Sequence, residues 1–410
     1  MRVLFVCGAY PEEQQNILRV QCKTGAGLQN APNVFQWAVI KGLIDNDVKL
    51  EVLTLPFLPS FPIKYASACT PASEVILEGE RIGQMIPYCN LMGYKTVSMR
   101  RRLQKSIEIW MGKNAVNREK IIVLTYTPYV PFIQAIVNVK KKFPNIILAS
   151  IVTDLVDDMM SFKSNRNLLK RIQCGMERRQ TKELYKYIDK FILLSEYMQE
   201  KIPESIGRSM VMEGIYAPSE DNYIIKKTSE IKTVLYTGTL EEFAGVMDLM
   251  KAFLSLKEDN YRLIVCGSGS CASFVKECAR KDKRIIFKGL VDRTEVLRLQ
   301  KEATLLINPR KPNGSITRYS FPSKTMEYLA SGTPMLGYKL EGIPTEYYQY
   351  YYTIDDLSVD GLARRIKEIL SLSQTELMEK AELASSFILE NKTAKRQIRR
   401  VLDFFMICYA

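Results

Sequence analysis

Two trains of short apolar runs, each followed by helical spacing, constrain this chain more than any other feature. The first train comprises 2–8, 48–55, 120–126, 145–154, 190–195 and 211–216, and the second begins at Thr233 with 233–237, 262–266, 284–290 and 303–308. Apolar runs of this length read as strands buried on both faces of a parallel sheet. Their alternation with helical stretches predicts doubly wound α/β domains. A length of 410 residues fits two of them. The polar, charged stretch 218–228 reads as the linker. The expected domains are therefore 1–217 and 218–390, with 391–410 as a final helix, basic on one face and apolar through Ile398, Val401, Leu402, Phe404 and Phe405.

Composition removes several chemistries. The chain has no histidine, so Ser-His-Asp and Cys-His hydrolases are excluded and the commonest general base is missing. Nine cysteines occur without a CxxC pair, which argues for reduced thiols, a cytoplasmic setting and no metal site. No run approaches the roughly 18 apolar residues that span a bilayer, and Met1 leads directly into a strand rather than a signal sequence. The net charge of +13 lies mostly in residues 1–215 and favours anionic partners. No nucleic-acid module is evident, so nucleic acid is not expected and a membrane surface is the favoured partner. Residues 95–113 read as a basic amphipathic helix that can lie in a headgroup layer, or pack as an ordinary surface helix. Gly25 and Gly27 follow the first strand at too great a distance for GxGxxG, which argues against a dinucleotide oxidoreductase.

The chemistry concentrates at Arg318 to Met335, read as a turn feeding a short helix. Pro322 suits the first turn, Ser323 can cap, and Gly332 with Pro334 ends the helix. The amides near Ser323, Lys324 and Thr325 then open from a helix N-terminus, where phosphate binds. Lys324 adds a full charge, and Glu327, one turn on, suits ribose hydroxyls. Upstream, the strand 303–308 ends at Asn308, with Arg310 just beyond, where ligands of open parallel sheets sit. Gly238 lies at another strand-to-helix turn and permits close approach of a phosphate. Asp154 ends the 145–154 strand as a candidate for a sugar or acceptor hydroxyl, whereas Asp157 and Asp158 read as solvated loop charges.

Strand, Asn-Pro-Arg, loop and Ser-Phe-Pro-Ser-Lys-Thr-Met-Glu-Tyr-Leu-Ala-Ser-Gly together resemble the donor segment of glycosyltransferase family 4, in its capsular and lipid-linked polysaccharide branch. The resemblance implies the GT-B fold, two Rossmann-like domains facing a cleft, with the last helix crossing back to the first domain. It implies a retaining, metal-independent transfer of a hexose from a nucleotide sugar, expected to be a UDP-sugar, to a polysaccharide or lipid-linked acceptor. No cofactor is implied beyond that donor. The expected location is cytoplasmic, peripheral on the inner face of the plasma membrane. Glu327 matches the second of the family's two glutamates, and Tyr319 falls where the first would touch the donor sugar. Thr239 and Ala244 fall where an Arg and a Lys usually hold the diphosphate, so Arg310 and Lys324 are expected to take over. Leu290 falls at the edge that lies against the base. The alternative implied by those two losses is a non-catalytic glycan- or nucleotide-binding homologue.

Overall fold

The computed structural model describes residues 1–23, 27–28, 30–114, 120–155, 168–217, 230–312 and 317–407. Gly25, Asp157, Asp158 and the 218–228 linker lie outside them. The chain divides into two compact units, Met1–Ala217 with Ala394–Ala410, and Pro218–Thr393.

Unit 1 contains β1 (Arg2–Cys7), α1 (Glu12–Val20), α2 (Asn30–Ile44), β2 (Lys49–Thr54), β3 (Ser73–Leu77) and β4 (Glu80–Met85). It continues with α3 (Lys95–Asn114), β5 (Ile121–Thr125), α4 (Val130–Lys140), β6 (Ile146–Val152), α5 (Leu168–Tyr185), β7 (Lys190–Leu193) and β8 (Ser209–Val211). Its sheet runs β3-β4-β2-β1-β5-β6-β7-β8, parallel except for the β3–β4 hairpin. That hairpin and α1 fall in stretches whose sequence shows no clear period. Ser195-Glu-Tyr-Met-Gln-Glu reads as the capped start of a helix, but a 3-10 turn forms at Glu196–Glu200 and the Ser195 side chain makes no cap bond.

Unit 2 contains β9 (Lys232–Thr237), α6 (Val246–Ser255), β10 (Tyr261–Cys266), α7 (Ala272–Lys281), β11 (Ile285–Gly289) and α8 (Arg293–Glu302). Then come β12 (Leu305–Asn308), α9 (Ser323–Ala330), β13 (Met335–Tyr338), β14 (Tyr352–Ile354), α10 (Val359–Ser371) and α11 (Gln374–Asn391). The sheet order is β11-β10-β9-β12-β13-β14, all parallel. This is the mononucleotide-binding order, with its switch point between β9 and β12.

The last helix, α12 (Ala394–Met406), belongs to unit 1. Ile398, Val401, Leu402, Phe404 and Phe405 join the core of Val3, Phe5, Leu124 and Ile151. Gly42 lets α2 meet it: a Cβ there would stand 2.5 Å from Ile398 and 2.6 Å from the Ala394 carbonyl. Gly42 therefore serves close packing, and α2 runs past it to Ile44. The buried Lys190 closes the far end, its Nζ donating to the carbonyls of Phe404 (2.6 Å) and Ile407 (2.9 Å). A cation at a helix C-terminus satisfies the last carbonyls and the helix dipole together.

Candidate functional site

Unit 2 gathers its chemistry at the switch point. β9 ends at Thr237, whose amide would be orphaned where the ladder stops; it donates to the hydroxyl of Tyr328 at 2.9 Å. Tyr328 is fully buried in the second half of α9, so this bond ties that helix to the end of β9. Gly238 follows with φ +141°, and its amide donates to the Cys266 carbonyl at 2.9 Å. Two further glycines bring neighbouring turns in. A Cβ on Gly267 would lie 1.8 Å from the Gly238 carbonyl oxygen, and one on Gly245 would lie 2.0 Å from that of Pro309. Only glycine allows backbone to approach this closely, and at φ +143° and +78° it also avoids strain.

Lys324 enters from the first turn of α9. A Cβ on Gly238 would meet its Nζ at 2.0 Å, so the amine lies over the bare Cα of Gly238. It donates to the Tyr236 hydroxyl at 3.2 Å and stands 4.4 Å from that ring's centroid. Tyr236 in turn donates to the carbonyl of Thr239 at 2.6 Å, which fixes the turn after Gly238. Arg310 leaves the end of β12 half-buried, with its guanidinium 5.8 Å from the Phe243 ring centroid. Burial lowers the pKa of Lys324 to about 8, with repulsion from Arg310 as the second cause. Burial also lowers that of Arg310. Two desolvated cations at one switch point are a site that an anion would relieve.

The helix start differs from its sequence reading. Pro322 occupies the cap position, Ser323 is the first helical residue, and no side chain caps the end. The Thr325 amide donates to the Pro322 carbonyl at 2.9 Å, which leaves the amides of Ser323 and Lys324, rather than three, at the open end. The Thr325 hydroxyl is buried without a hydrogen-bond partner. Glu327 is held by groups the sequence reading missed. Arg293 reaches one carboxylate oxygen at 3.0 Å and the buried Gln300 the other at 2.6 Å. A carboxylate with one bond on each oxygen still has lone pairs to offer.

The remaining candidates are dispersed. Tyr319 is 7% exposed, packed in unit 2 rather than open to solvent. Leu290, one residue beyond β11, is 78% exposed. Asp154 lies in unit 1, exposed just past β6 and near enough to raise the buried Tyr126 phenol, after the larger effect of burial. Tyr236, Tyr328, Arg293 and Gln300 escaped the sequence reading because each sits inside an ordinary strand or helix pattern. The one available signal was the four-residue step from Lys324, which puts Tyr328 on the same side of the helix.

Residues 231–371 match the family described as Glycosyl transferases group 1. An uncharacterized glycosyltransferase of Methanocaldococcus jannaschii is 25% identical over 224 residues, covering 53% of this chain and 55% of that one. The matched segment thus spans about half the length of that relative. Among solved structures, sucrose-phosphate synthase from Thermosynechococcus elongatus superposes with a TM-score of 0.63 at 13% identity, covering 99% of this chain and 98% of that one. The lipopolysaccharide outer core galactosyltransferase WaaB gives 0.61 at 15% identity and 99% of both chains. TarM of S. aureus, in a complex that includes UDP, gives 0.60 at 11% identity, with 99% and 100% covered. At these identities the likeness establishes the fold.

Proposed function

We propose, from the GT-B fold and the match of residues 231–371 to the group 1 glycosyl transferases, a glycosyltransferase that moves a hexose from a nucleotide sugar, a UDP-sugar by preference, to a hydroxyl of a polysaccharide or lipid-linked acceptor. One observation carries the reading: Lys324 is held over Gly238 at the switch point, where burial lowers its pKa and Arg310 is close enough to lower it further. That arrangement suits a diphosphate and supplies the cations that Thr239 and Ala244 do not. The amides of Ser323 and Lys324 add two donors at the helix end. Glu327, steadied by Arg293 and Gln300, takes the ribose hydroxyls. Leu290 is assigned to the base and Tyr319 to the donor sugar, while Asp154 serves a sugar or acceptor hydroxyl.

In the proposed reaction the bond from the sugar's anomeric carbon to the phosphate oxygen breaks, and its electron pair leaves with the diphosphate. The acceptor oxygen bonds to that carbon on the same face, and its proton passes to a departing phosphate oxygen. Configuration is retained without a protein nucleophile. Lys324 and Arg310 stabilise charge that grows as the sugar departs, so their effect falls on turnover. The step as proposed uses no divalent metal, so turnover measured with and without EDTA should agree; loss in EDTA that manganese restores would overturn this.

The deciding measurement is turnover of UDP-sugars by wild type and Lys324→Ala. The expected loss in kcat is about 10²–10³, the scale of an oxyanion-hole donor. Glu327→Gln, which weakens a contact made before and during reaction, chiefly raises KM for donor. A folded Lys324→Ala protein with wild-type turnover overturns the assignment. Nucleotide binding by the wild type with no transfer from any nucleotide sugar would make the chain a binding homologue.

A further inference from the structure

The sequence offers α3 as the element that meets a lipid surface, but its apolar face is used inside unit 1. Met99, Leu103, Ile107 and Met111 on that face are fully buried. Unused apolar surface stands elsewhere in unit 1. Val20 is 81% exposed, Ile63 63%, Met92 60%, and Leu91 and Tyr94 each 42%.

These five residues lie on adjoining segments. The Phe61 amide donates to the Asn90 carbonyl at 3.0 Å, and the Met92 amide returns to the Phe61 carbonyl at 3.0 Å. Lys23 ties the end of α1 to the same loops, its amide reaching the Lys64 carbonyl at 3.1 Å and its Nζ the Pro62 carbonyl at 2.6 Å. The loops spring from the C-terminal ends of the central strands, where the Leu55 amide bonds to Cys7 and the Ile86 amide to Thr54, both at 2.9 Å. Large apolar side chains left in water on adjoining segments of a folded unit mark a surface that something covers.

Charge identifies what covers it. The stretches 14–44, 55–73 and 86–107 contain no Asp or Glu. Arg19, Lys23 and Lys64, all exposed, stand on the same segments as the apolar tips. A second copy would bring an identical carboxylate-free, cationic face and be repelled. A layer that is negative at its surface and apolar just beneath satisfies both features at once.

We propose that this patch docks unit 1 on an anionic lipid bilayer. Val20, Ile63, Leu91, Met92 and Tyr94 enter the headgroup boundary, and Arg19, Lys23 and Lys64 meet headgroup phosphates. The inference does not depend on the glycosyl-transfer reading, because it is tested without turnover.

The full chain is floated with vesicles of phosphatidylcholine alone and of phosphatidylcholine with phosphatidylglycerol, at low and high salt. Binding is expected only to the anionic vesicles, and weaker in salt. The triple change Arg19→Gln, Lys23→Gln and Lys64→Gln should weaken it about a hundredfold, since each cation near the surface contributes about 1 kcal/mol. The pair Ile63→Asp and Met92→Asp should abolish it while near-ultraviolet circular dichroism stays native, both side chains being exposed. Absence of wild-type binding, or equal binding to neutral vesicles, overturns the proposal. So does a triple Arg100→Gln, Arg101→Gln, Arg102→Gln protein that loses binding while the aspartate pair retains it. A dimer in light scattering that the aspartate pair dissolves, without vesicle binding, assigns the patch to self-association and equally overturns it.

Discussion

At the scale of single residues, Lys324 is the group whose environment departs furthest from its usual chemistry among the proposed diphosphate ligands. Its pKa of about 8 follows first from burial and then from Arg310. The folded chain therefore binds fewer protons than the unfolded chain between about pH 8 and the ordinary lysine value, and the lysine's part in stability rises with pH across that window. Lys95 of unit 1, lowered to about 8 by burial, acts in the same direction, so stability alone cannot isolate Lys324. Ligand binding can, because it runs the other way. As Lys324 loses its proton above about pH 8, UDP affinity should fall, and Lys324→Arg should flatten the profile by holding its charge. Calorimetric titration from pH 7 to 10 checks this; a parallel profile in the arginine variant would deny Lys324 the role. Gly238 and Gly267 make a contrasting pair. Alanine at Gly238 would press on a movable Nζ at 2.0 Å, whereas alanine at Gly267 would press on the Gly238 carbonyl at 1.8 Å. Both also force a side chain onto φ near +140°, which costs about 1–3 kcal/mol. Gly267→Ala should be the less stable in urea, and Gly238→Ala should lose more nucleotide affinity than stability.

At the scale of elements, what was legible follows from period and length. The buried strands declare themselves by unbroken apolar runs, and α12 by its stripe from Ile398 to Phe405. The two ends of α9 also showed, in Pro322 before it and Gly332 beyond it. The β3–β4 hairpin did not, because Glu74, Glu80 and Arg81 interrupt its apolar alternation at the sheet edge. Site partners were illegible for another reason. Gln300 and Arg293 come from α8, and only the folding of α8 and α9 around β12 brings them to Glu327. Just beyond the hairpin lies a pairing whose consequence can be tested. Cys69 and Cys89 face each other in an antiparallel bridge, flanked by the Thr70 amide on the Tyr88 carbonyl (3.0 Å) and the Asn90 amide on the Ala68 carbonyl (2.7 Å). That is the non-hydrogen-bonded position, where Cα atoms approach to about 4.5 Å, within reach of a disulfide. Glutathione disulfide should therefore oxidise this pair, the two thiols losing two protons and two electrons to give reduced glutathione. Peptide mapping should find Cys69 joined to Cys89, and Cys69→Ser should leave Cys89 unlinked to any other cysteine of the chain.

At the scale of the whole molecule, the two units depend differently on the chain's last helix. Unit 2 is one continuous span, whereas unit 1 is completed by residues 394–410. Five large apolar side chains of α12 enter the core of unit 1, and Lys190 is buried on its final carbonyls. Each such side chain contributes about 1.5–3 kcal/mol on burial, and together they rival the 5–15 kcal/mol that holds a domain folded. Lys190→Met, which removes only the capping amine, should cost on the order of 2–3 kcal/mol in the unit 1 transition. Truncation after Thr393 removes everything α12 supplies and also leaves Gly42 facing solvent. It should unfold unit 1 while unit 2, whose strands, glycine turns and Lys324 are untouched, still binds the diphosphate. A calorimetric scan of the truncated chain should then show one transition in place of two. A nucleotide at a hundred times its Kd should stabilise that transition by about 2.7 kcal/mol. Loss of both transitions would mean that unit 2 requires unit 1 to fold. A surviving transition that ignores UDP would place the nucleotide elsewhere than the switch point between β9 and β12.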